Sequence, residues 1–266
     1  MLKNRLTLLI HSCDKFSDLW DAHIYLLNKN WADRGIDTIV ATDNESPKSY
    51  DGVRIISAGE GKEITERTAF VLPQIKTDYI LITLDDYFLT SPISSDRIDR
   101  LVDIMEEESL DYMRLFYRPK KKKYRSQYKD VYYYDMNGDY VVNLYSGIWR
   151  KDFVEKTLGE RLNAWEYEVK LSELARKANA KCMVSLGNEF PIMDVVRKGR
   201  ILNKANWYLK RHNLYHGKRE VMPLTAEFIL FIKTWTNRIL GKLLPNDFYR
   251  NLKQTVGIKS FSANSK

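Results

Sequence analysis

The stretch Tyr79-Ile-Leu-Ile-Thr-Leu-Asp85-Asp86-Tyr-Phe-Leu-Thr90 is an apolar run that leads directly into two adjacent carboxylates. Charged side chains are costly to remove from water, so acids at the end of a core strand usually hold a metal, a ligand or a partner. In an open α/β sheet, ligands bind at the carboxyl ends of the strands. The stretch therefore predicts a central strand that ends in a ligand site at Asp85 and Asp86. The alternative is a pair of structural acids beside a turn.

The first 115 residues repeat this pattern, in which an apolar run is followed by a longer amphipathic stretch. Such alternation predicts an α/β protein whose mixed, mainly parallel sheet is flanked by helices. The expected strands are Leu6–Ile10, Thr38–Ala41, Arg54–Ser57, Tyr79–Leu84 and Tyr112–Leu115. The expected helices are Phe16–Asn30, Glu63–Ile75 and Asp96–Glu108.

The pattern changes in the middle of the chain. Val131–Asp135 and Tyr140–Leu144 flank Asn137-Gly138, and Asn-Gly favours a turn with positive φ, so these residues predict a β-hairpin. The elements expected beyond it are helices at Asp152–Leu158 and Trp165–Ala178 and a strand at Lys181–Ser185.

Charge divides the 266 residues into two parts. Residues 1–196 carry 28 Lys and Arg against 32 Asp and Glu, whereas residues 197–266 carry 15 against 3. We therefore expect a catalytic or ligand-binding domain over 1–196 and a basic helical segment over 197–266. A basic segment of this kind indicates an anionic partner, either a membrane phospholipid surface or nucleic acid.

Composition restricts the class and the compartment. With 44% hydrophobic and 29% charged residues the chain is typical of a soluble globular protein. Cys13 and Cys182 form neither a disulfide framework nor a CxxC metal pair, which favours the reducing cytoplasm. We expect no signal peptide, because few apolar residues precede His11, and no apolar window reaches the ~18 residues of a membrane span.

Polar residues at the other strand ends are candidates for nucleotide contacts. His11 and Ser12 follow the first strand, and Asp43 follows the second, where it can accept hydrogen bonds from a base or a ribose or form a turn. Arg67, in the helix before the Asp85 strand, can oppose a pyrophosphate or the two acids, or it belongs to a surface charge cluster.

Phosphate binding in this chain calls for a cation. Neither a G-x-G-x-x-G fingerprint nor a G-x-x-x-x-G-K-[ST] loop is present, so a metal with Arg or Lys is expected to hold phosphate. Mg²⁺ or Mn²⁺ is bound by one or two carboxylates together with diphosphate oxygens. Adjacent side chains on a continuous strand point to opposite faces, so Asp85 and Asp86 both reach one ion only if the strand breaks there.

A second acidic pair opens the helix predicted at Trp165–Ala178. Glu166 shares a stripe with Lys170, which is typical of a solvated face. Glu168 aligns with apolar Leu171 and Ala175, and partial burial raises the pKa of a carboxylate toward the working range of a general base. The alternative for Glu168 is a buried acid that caps a neighbouring loop.

Over roughly residues 5–190 the chain resembles a bacterial GT-A-fold glycosyltransferase of surface polysaccharide biosynthesis. The residues that carry the resemblance are Ser12-Cys13-Asp14-Lys15-Phe16, Thr42-Asp43, Asp85-Asp86-Tyr87-Phe88, Ser146-Gly147-Ile148-Trp149 and Trp165-Glu166-Tyr167-Glu168. The resemblance implies a GT-A-like sheet and transfer of a sugar from a nucleotide-sugar, UDP-linked, to a glycan or lipid-linked acceptor. It implies that Asp85 and Asp86 bind Mn²⁺ or Mg²⁺ and the donor diphosphate, although the family's usual D-x-D spacing is absent.

The same resemblance gives Glu168, or failing that Glu166, the role of general base in an inverting reaction, and Ser146–Trp149 a place in the acceptor pocket. It implies a capsule, O-antigen or exopolysaccharide pathway at the inner face of the cytoplasmic membrane. Two basic stretches fit an anionic membrane there, a loop at Arg118–Arg125 and an amphipathic helix at Leu224–Leu244.

Three other interpretations stay open. Basic residues interleaved with Trp207, Tyr208 and Tyr215 suit base stacking, but no nucleic-acid module frames them, so we expect no nucleic-acid partner. The chain can also be a non-catalytic membrane-bound scaffold or glycan-binding protein. A nucleotidyltransferase is less favoured, because it would normally open with a Gly-rich phosphate loop.

Overall fold

The computed structural model describes residues 1–115, 123–137, 140–215 and 217–232. The strands are β1 Leu6–His11, β2 Thr38–Thr42, β3 Arg54–Ser57, β4 Tyr79–Leu84, β5 Tyr87–Leu89, β6 Tyr112–Arg114, β7 Lys123–Arg125, β8 Val131–Tyr134, β9 Gly147–Arg150, β10 Cys182–Ser185, β11 Ile192–Asp194, β12 Val196–Arg197 and β13 Arg200–Ile201. The helices are α1 Trp20–Asn30, α2 Ile64–Val71, α3 Ser95–Glu107, α4 Lys151–Thr157, α5 Ala164–Lys177 and α6 Asn203–Arg211. Residues 224–232 are also helical.

Nine of these strands form the central sheet, in the order β3-β2-β1-β4-β9-β6-β10-β8-β7. The first four are parallel neighbours, and β6 is parallel to β10. β9 runs antiparallel to both β4 and β6, and β8 runs antiparallel to β10 and β7. The prediction of a mixed, mainly parallel sheet is therefore confirmed.

Helices cover both faces of this sheet. Trp20 of α1 and Leu101 of α3 share one core cluster with Leu81 of β4. Ile64 of α2, Phe153 of α4 and Leu171 of α5 share a second cluster with Ile80 and Ile82 of β4. Because β4 is buried on both faces, its sequence is continuously apolar rather than alternating.

The predicted helix boundaries shift by a few residues for local reasons. The helix expected over Phe16–Asn30 begins as a 3₁₀ segment, Asp14–Leu19, and becomes α-helical at Trp20. The helix expected over Glu63–Ile75 ends at Val71 and continues as a 3₁₀ turn that contains Pro73. Proline lacks the backbone N–H that a continuing α-helix requires.

The predicted hairpin between 131–135 and 140–144 is wrong. β8 pairs with β7 and β10, and residues 140–144 form no strand. Val141 and Val142 are buried, and the Val141 N–H donates to Ser172 Oγ of α5 at 2.8 Å. The apolar pattern therefore reflects burial of an irregular segment against a helix. Gly138, in the expected turn, lies outside the described residues.

The predicted domain boundary between residues 196 and 197 falls inside the two-stranded sheet of β12 and β13. Val196, Ala205 and Leu209 pack in one cluster with Leu19 and Phe88. The chain beyond residue 196 therefore begins as part of the same packed unit. Residues 116–122 and 233–266 lie outside the described part of the chain, and they include most of the two basic stretches Arg118–Arg125 and Leu224–Leu244. No helix in the described ranges is long and apolar enough to cross a membrane.

Gly147 tests the central antiparallel strand. A Cβ on Gly147 would lie 2.7 Å from Cε2 of Tyr112 and 3.0 Å from the Met113 carbonyl oxygen, both in β6. We expect Gly147→Ala to lower the free energy of unfolding by about 1–3 kcal/mol through overpacking, as measured by urea denaturation. The matched control is Gly159→Ala, where a Cβ meets nothing within 4 Å. Equal stability of the two variants would contradict this placement of β9.

Candidate active site

The central strand breaks at the two acids. β4 ends at Leu84, Asp85 and Asp86 form a turn, and the chain enters β5 at Tyr87, in a separate sheet with β11. The Asp85 N–H donates to the His11 carbonyl at 3.1 Å, which ties the turn to the end of β1. The two carboxylates therefore lie at the carboxyl edge of the parallel strands and are released from strand geometry, the condition under which they can serve one site.

Asp85 supports the turn from inside. Its carboxylate is buried and accepts a hydrogen bond from Ser12 Oγ, which in turn accepts one from Trp20 Nε1 at 2.7 Å. Its carbonyl accepts a hydrogen bond from His23 Nδ1 at 2.9 Å. Burial, and then the charge of Asp86, raise the pKa of Asp85 well above its ordinary value.

Asp86 faces the site with an unsatisfied oxygen. Its Oδ1 is buried and accepts no hydrogen bond from the described residues. Burial and the nearby carboxylate of Asp194 raise the pKa of Asp86 to about 7, although Arg197 and Arg219 act in the opposite direction. Buried acceptors are almost always paired, so an orphaned carboxylate oxygen indicates a position for a donor or a cation.

The acids fit a divalent ion that shares its coordination with a ligand. Within the described ranges, no group of three or more His, Cys, Asp or Glu side chains is arranged to hold a metal ion by itself. Mg²⁺ and Mn²⁺ need less from the protein when phosphate oxygens complete the shell. The orphaned oxygen of Asp86 meets that requirement. In Asp85, by contrast, Oδ2 already accepts the Ser12 hydrogen bond.

Two charged residues that sequence reasoning missed adjoin Asp86. β11 pairs with β5 so that Asp194 lies opposite Tyr87, and the Val195 N–H donates to the Asp86 carbonyl at 2.9 Å. Arg197 Nη2 bonds Asp194 Oδ2 at 2.6 Å. The only signal in the sequence was an Asp-x-x-Arg spacing after residue 193, which is too common to single out.

A column of rings and a cation lies beside the acids. Tyr87 and Tyr145 stack with ring centroids 5.4 Å apart and planes 4° apart, and the Arg114 guanidinium lies 5.5 Å from the Tyr145 centroid. Arg114 ends β6 and is buried. Burial, Tyr145 and Asp86 raise the pKa of Tyr87, so its hydroxyl stays protonated at neutral pH and is available as a donor.

The two candidate bases on α5 separate. Glu168 is half-buried and lies close enough to Tyr87 to contribute to the rise of its pKa. Glu166 is exposed and forms a capping box, in which its Oε2 accepts from the Asn163 N–H at 3.0 Å and its own N–H donates to Asn163 Oδ1 at 3.0 Å. Of the two acids Glu168 is therefore the one near Tyr87, whereas Glu166 stabilises the start of the helix.

His11, Asp43 and Arg67 gather at the ends of β1 and β2. Asp43 Oδ1 accepts from the Asp14 N–H at 2.7 Å; burial raises the pKa of Asp43, but that bond and the Arg67 charge outweigh it and lower the pKa. His11 is buried, with no hydrogen bond from the described residues to either ring nitrogen, and burial followed by Arg67 lowers its pKa to about 3. Arg67 therefore directs its charge toward the site edge, and not only into a surface cluster.

Ser12 and the stretch Ser146–Trp149 are placed differently from the prediction. Ser12 is buried beneath the turn and bonds Asp85 instead of facing the cleft. Ile148 and Trp149 belong to β9 and pack in the two cores on opposite faces of the sheet. They are therefore core residues and do not line a pocket. Ser146, just before β9, bonds Thr83 through their hydroxyls at 2.8 Å.

A basic segment that contains Lys218 and Arg219 packs against the β1–α1 loop. Arg219 makes two 2.7 Å bonds to Asp18 and lies 4.4 Å from the Phe16 ring centroid. A cleft of about 430 Å³ runs between this segment and the loop, lined by Asp14, Lys15, Ser17, Asp18, Lys218 and Arg219. Arg219 is also near enough to Asp85 and Asp86 to oppose the rise of their pKa values. Residues beyond 196 therefore contribute positive charge to the site.

Comparisons with known proteins bear on the fold. No family profile matches the sequence, and no curated protein is significantly similar to it. Solved structures with a similar chain fold include S. aureus TarS residues 1–349 (13% identity, 68% of this chain and 57% of that chain, TM-score 0.46) and S. aureus TarS (9%, 97% and 44%, TM-score 0.49). A third is the mannosyltransferase PcManGT from Pyrobaculum calidifontis in complex with GDP-Man and Mn²⁺ (9%, 97% and 81%, TM-score 0.49). The chain thus spans about half the length of the two TarS chains.

Asp86 imposes a pH-dependent stability. Its folded pKa of about 7 lies above the ordinary value of 3.8, so the native state takes up a proton between these values and stability falls as pH rises from about 4 to about 7. We expect Asp86→Asn to raise the free energy of unfolding of the ligand-free protein by up to about 4 kcal/mol at pH 8, since one pKa unit corresponds to about 1.4 kcal/mol, and by much less at pH 4.5. Thermal melts at both pH values measure this difference.

The control for this prediction is Asp51→Asn, at an exposed carboxylate. It should leave the melting temperature unchanged at either pH. A lower melting temperature of Asp86→Asn at pH 8 would show that the carboxylate is paired and not orphaned.

Proposed function

We propose that this protein is a glycosyltransferase that moves a sugar from a UDP-linked donor, a nucleotide-sugar, to a glycan or lipid-linked acceptor. The observation that carries the proposal is the orphaned carboxylate oxygen of Asp86, at the break of the central strand. A buried carboxylate oxygen without a donor destabilises the apo protein, which is typical of a site built for a cationic or metal-bound ligand.

The donor would lie along the carboxyl edge of the parallel strands. Asp43 and Arg67, at the end of β2 and on α2, would bind the nucleoside, next to buried His11 and Ser12. Asp86, supported by Asp85, would hold Mn²⁺ or Mg²⁺ with the diphosphate, and the ion would neutralise charge on the leaving group. The cations of Arg197 and Arg219 lie near enough to Asp86 to lower its pKa and would add to that stabilisation.

Glu168 is the proposed general base. Its carboxylate would take the proton of the acceptor hydroxyl while that oxygen bonds to the anomeric carbon. The bond from that carbon to the diphosphate breaks as the new bond forms, and its electron pair leaves on the diphosphate oxygen. Attack opposite the leaving group inverts the configuration. The proximity of Glu168 to Tyr87, the residue that follows the two acids, supports its role as the base.

We infer a lipid-linked acceptor and a peripheral location from the charge of residues 197–266. A lipid-linked glycan of a capsule, O-antigen or exopolysaccharide pathway is presented at the inner face of the cytoplasmic membrane. The excess positive charge of residues 197–266 supports a peripheral position there, on an anionic surface.

Nucleotide binding tests the proposal. We expect UDP to raise the melting temperature of the wild type in the presence of Mn²⁺, because a ligand at 100 times its Kd stabilises the native state by roughly 2.7 kcal/mol. Asp86→Asn should lose this increase, measured from its own baseline, and Asp51→Asn should keep it. If none of the common nucleoside diphosphates raises the melting temperature with or without Mn²⁺, the protein is not a glycosyltransferase of this kind.

The base is tested by turnover. We expect Glu168→Gln to lower the rate of nucleoside diphosphate release from the nucleotide-sugar by about 10²- to 10⁴-fold, with unchanged donor binding. Glu166→Gln is the matched control, since its carboxylate caps α5; it should lose stability but not rate. ¹H NMR of the released sugar gives its configuration. Retention of configuration, or a full rate in Glu168→Gln, would reject the inverting mechanism with this base.

A further inference from the structure

One face of α6 is built from residues that do not belong to the core. Asn203, Asn206, Trp207, Lys210 and Arg211 recur at helical spacing and line an open groove of about 670 Å³. The Trp207 side chain is 60% exposed, and the Arg211 guanidinium lies 5.2 Å from its ring centroid. The opposite side of α6 packs into the domain through Ala205 and Leu209.

The helix at 224–232 adds an apolar stripe next to this groove. Leu224, Phe228 and Phe231 follow the i, i+4, i+7 spacing of one helix face and are 73%, 64% and 62% exposed. Monomeric soluble proteins rarely expose large apolar side chains in such a contiguous row, and where they do the row is usually an interaction site.

Hydrogen bonds fix the two helices to each other. The Asn203 N–H donates to Glu227 Oε2 at 3.1 Å, and Asn203 Nδ2 donates to the Met222 carbonyl at 2.8 Å and to Glu227. Glu227 therefore satisfies the amino end of α6. We call the exposed surface of Trp207, Lys210, Arg211, Phe228 and Phe231 the basic apolar face.

Charge identifies the partner of this face. The described residues from 197 to 232 include eight Lys and Arg against two Glu. Arg197, Arg200 and Arg219 are paired with Asp194, Glu220 and Asp18. The cations on the basic apolar face are not among these pairs. Apolar side chains surrounded by exposed cations are typical of a helix that lies in the interface of an anionic bilayer.

Trp207, Tyr208 and Tyr215 are not positioned to stack on nucleic-acid bases. Tyr208 and Tyr215 pack against the cluster that contains Phe88 and Leu209, and Tyr215 donates to Asp18 at 2.7 Å. Of Trp207, Tyr208 and Tyr215, only Trp207 is largely exposed. The row of stacking platforms that a nucleic-acid strand requires is therefore not formed by these residues.

We propose that the basic apolar face binds an anionic phospholipid bilayer, with Phe228, Phe231 and Trp207 inserted at the level of the headgroups and Lys210 and Arg211 against lipid phosphates. This assignment does not depend on the proposed enzyme activity. It names the membrane-binding surface, and it fixes the orientation of the molecule because α6 packs in the same cluster as Leu19, next to the β1–α1 loop of the candidate site.

Vesicle co-sedimentation of the full chain without nucleotide tests the proposal. We expect the wild type to bind vesicles of 30% phosphatidylglycerol and to stay in solution with pure phosphatidylcholine. Lys210→Glu/Arg211→Glu should lower the partition coefficient at least tenfold, because each basic residue near an anionic surface contributes about a fivefold factor. Phe228→Ser/Phe231→Ser should lower it to a similar extent, but that loss should not be reversed at low salt.

Matched controls lie on the opposite helical layer. Phe70→Ser on α2, at a side chain 51% exposed, and Lys177→Glu on α5 should bind vesicles like the wild type. Circular dichroism of each variant should match the wild type, which keeps a folding defect apart from a binding defect.

Several results would overturn the proposal. One is that the wild type stays in solution with anionic vesicles. Another is that all four variants bind these vesicles equally. Alternatively, light scattering shows a dimer that Phe228→Ser/Phe231→Ser dissociates, which assigns the face to a second copy. A lower melting temperature of that variant with unchanged vesicle binding assigns the face to the chain's own residues 233–266. Tighter binding to single-stranded RNA than to vesicles assigns it to nucleic acid. Because no nucleotide is present, each outcome is independent of the proposed transfer reaction.

Discussion

Burial of Asp85 is the constraint on which the rest of the site depends. A carboxylate taken out of water must be hydrogen-bonded, and here Ser12, which follows β1 and is held by Trp20 of α1, donates to it. His23 of α1 bonds the backbone carbonyl of Asp85. These bonds hold the chain in a turn at the point where β4 would otherwise continue. The turn sends the next residues into a separate sheet with β11, and this carries Asp194 to Asp86. The fold thus uses one acid to position another.

The site brings carboxylates together in a partly buried environment, where repulsion between like charges costs the most stability. Asp85, Asp86 and Asp194 repel one another in a partly dry environment, and the arginines at 197 and 219 offset only part of that repulsion. A protein selected for stability alone would replace Asp86 with a neutral residue. Its retention is understandable if a cationic ligand supplies the missing charge, since binding then recovers the energy that the apo state lacks.

How much the sequence could predict depended on whether the signal was local. Tyr79–Leu84 was predicted because a strand buried on both faces is an uninterrupted apolar run with charges at its ends. The strand Gly147–Arg150 was missed because it has four residues and its pairing with β4 and β6 is set by distant partners. Asp194 reaches Asp86 through strand pairing, which no spacing in the sequence encodes. The division at residue 196 followed charge, but hydrophobic packing continued past it through Ala205 and Leu209.

The segment after residue 196 contributes basic residues to two different surfaces. From its charge alone, the whole segment was expected to bind an anionic partner. Arg219 turns inward to Asp18 and contributes to the electrostatics of the acids, whereas Lys210 and Arg211 turn outward on α6. Both sets belong to one short run of chain that packs against the main domain. A bilayer bound to the outward set would therefore hold the cleft at a constant height and tilt. An enzyme held in this way would meet a lipid-linked acceptor by diffusion in the plane of the membrane instead of in three dimensions.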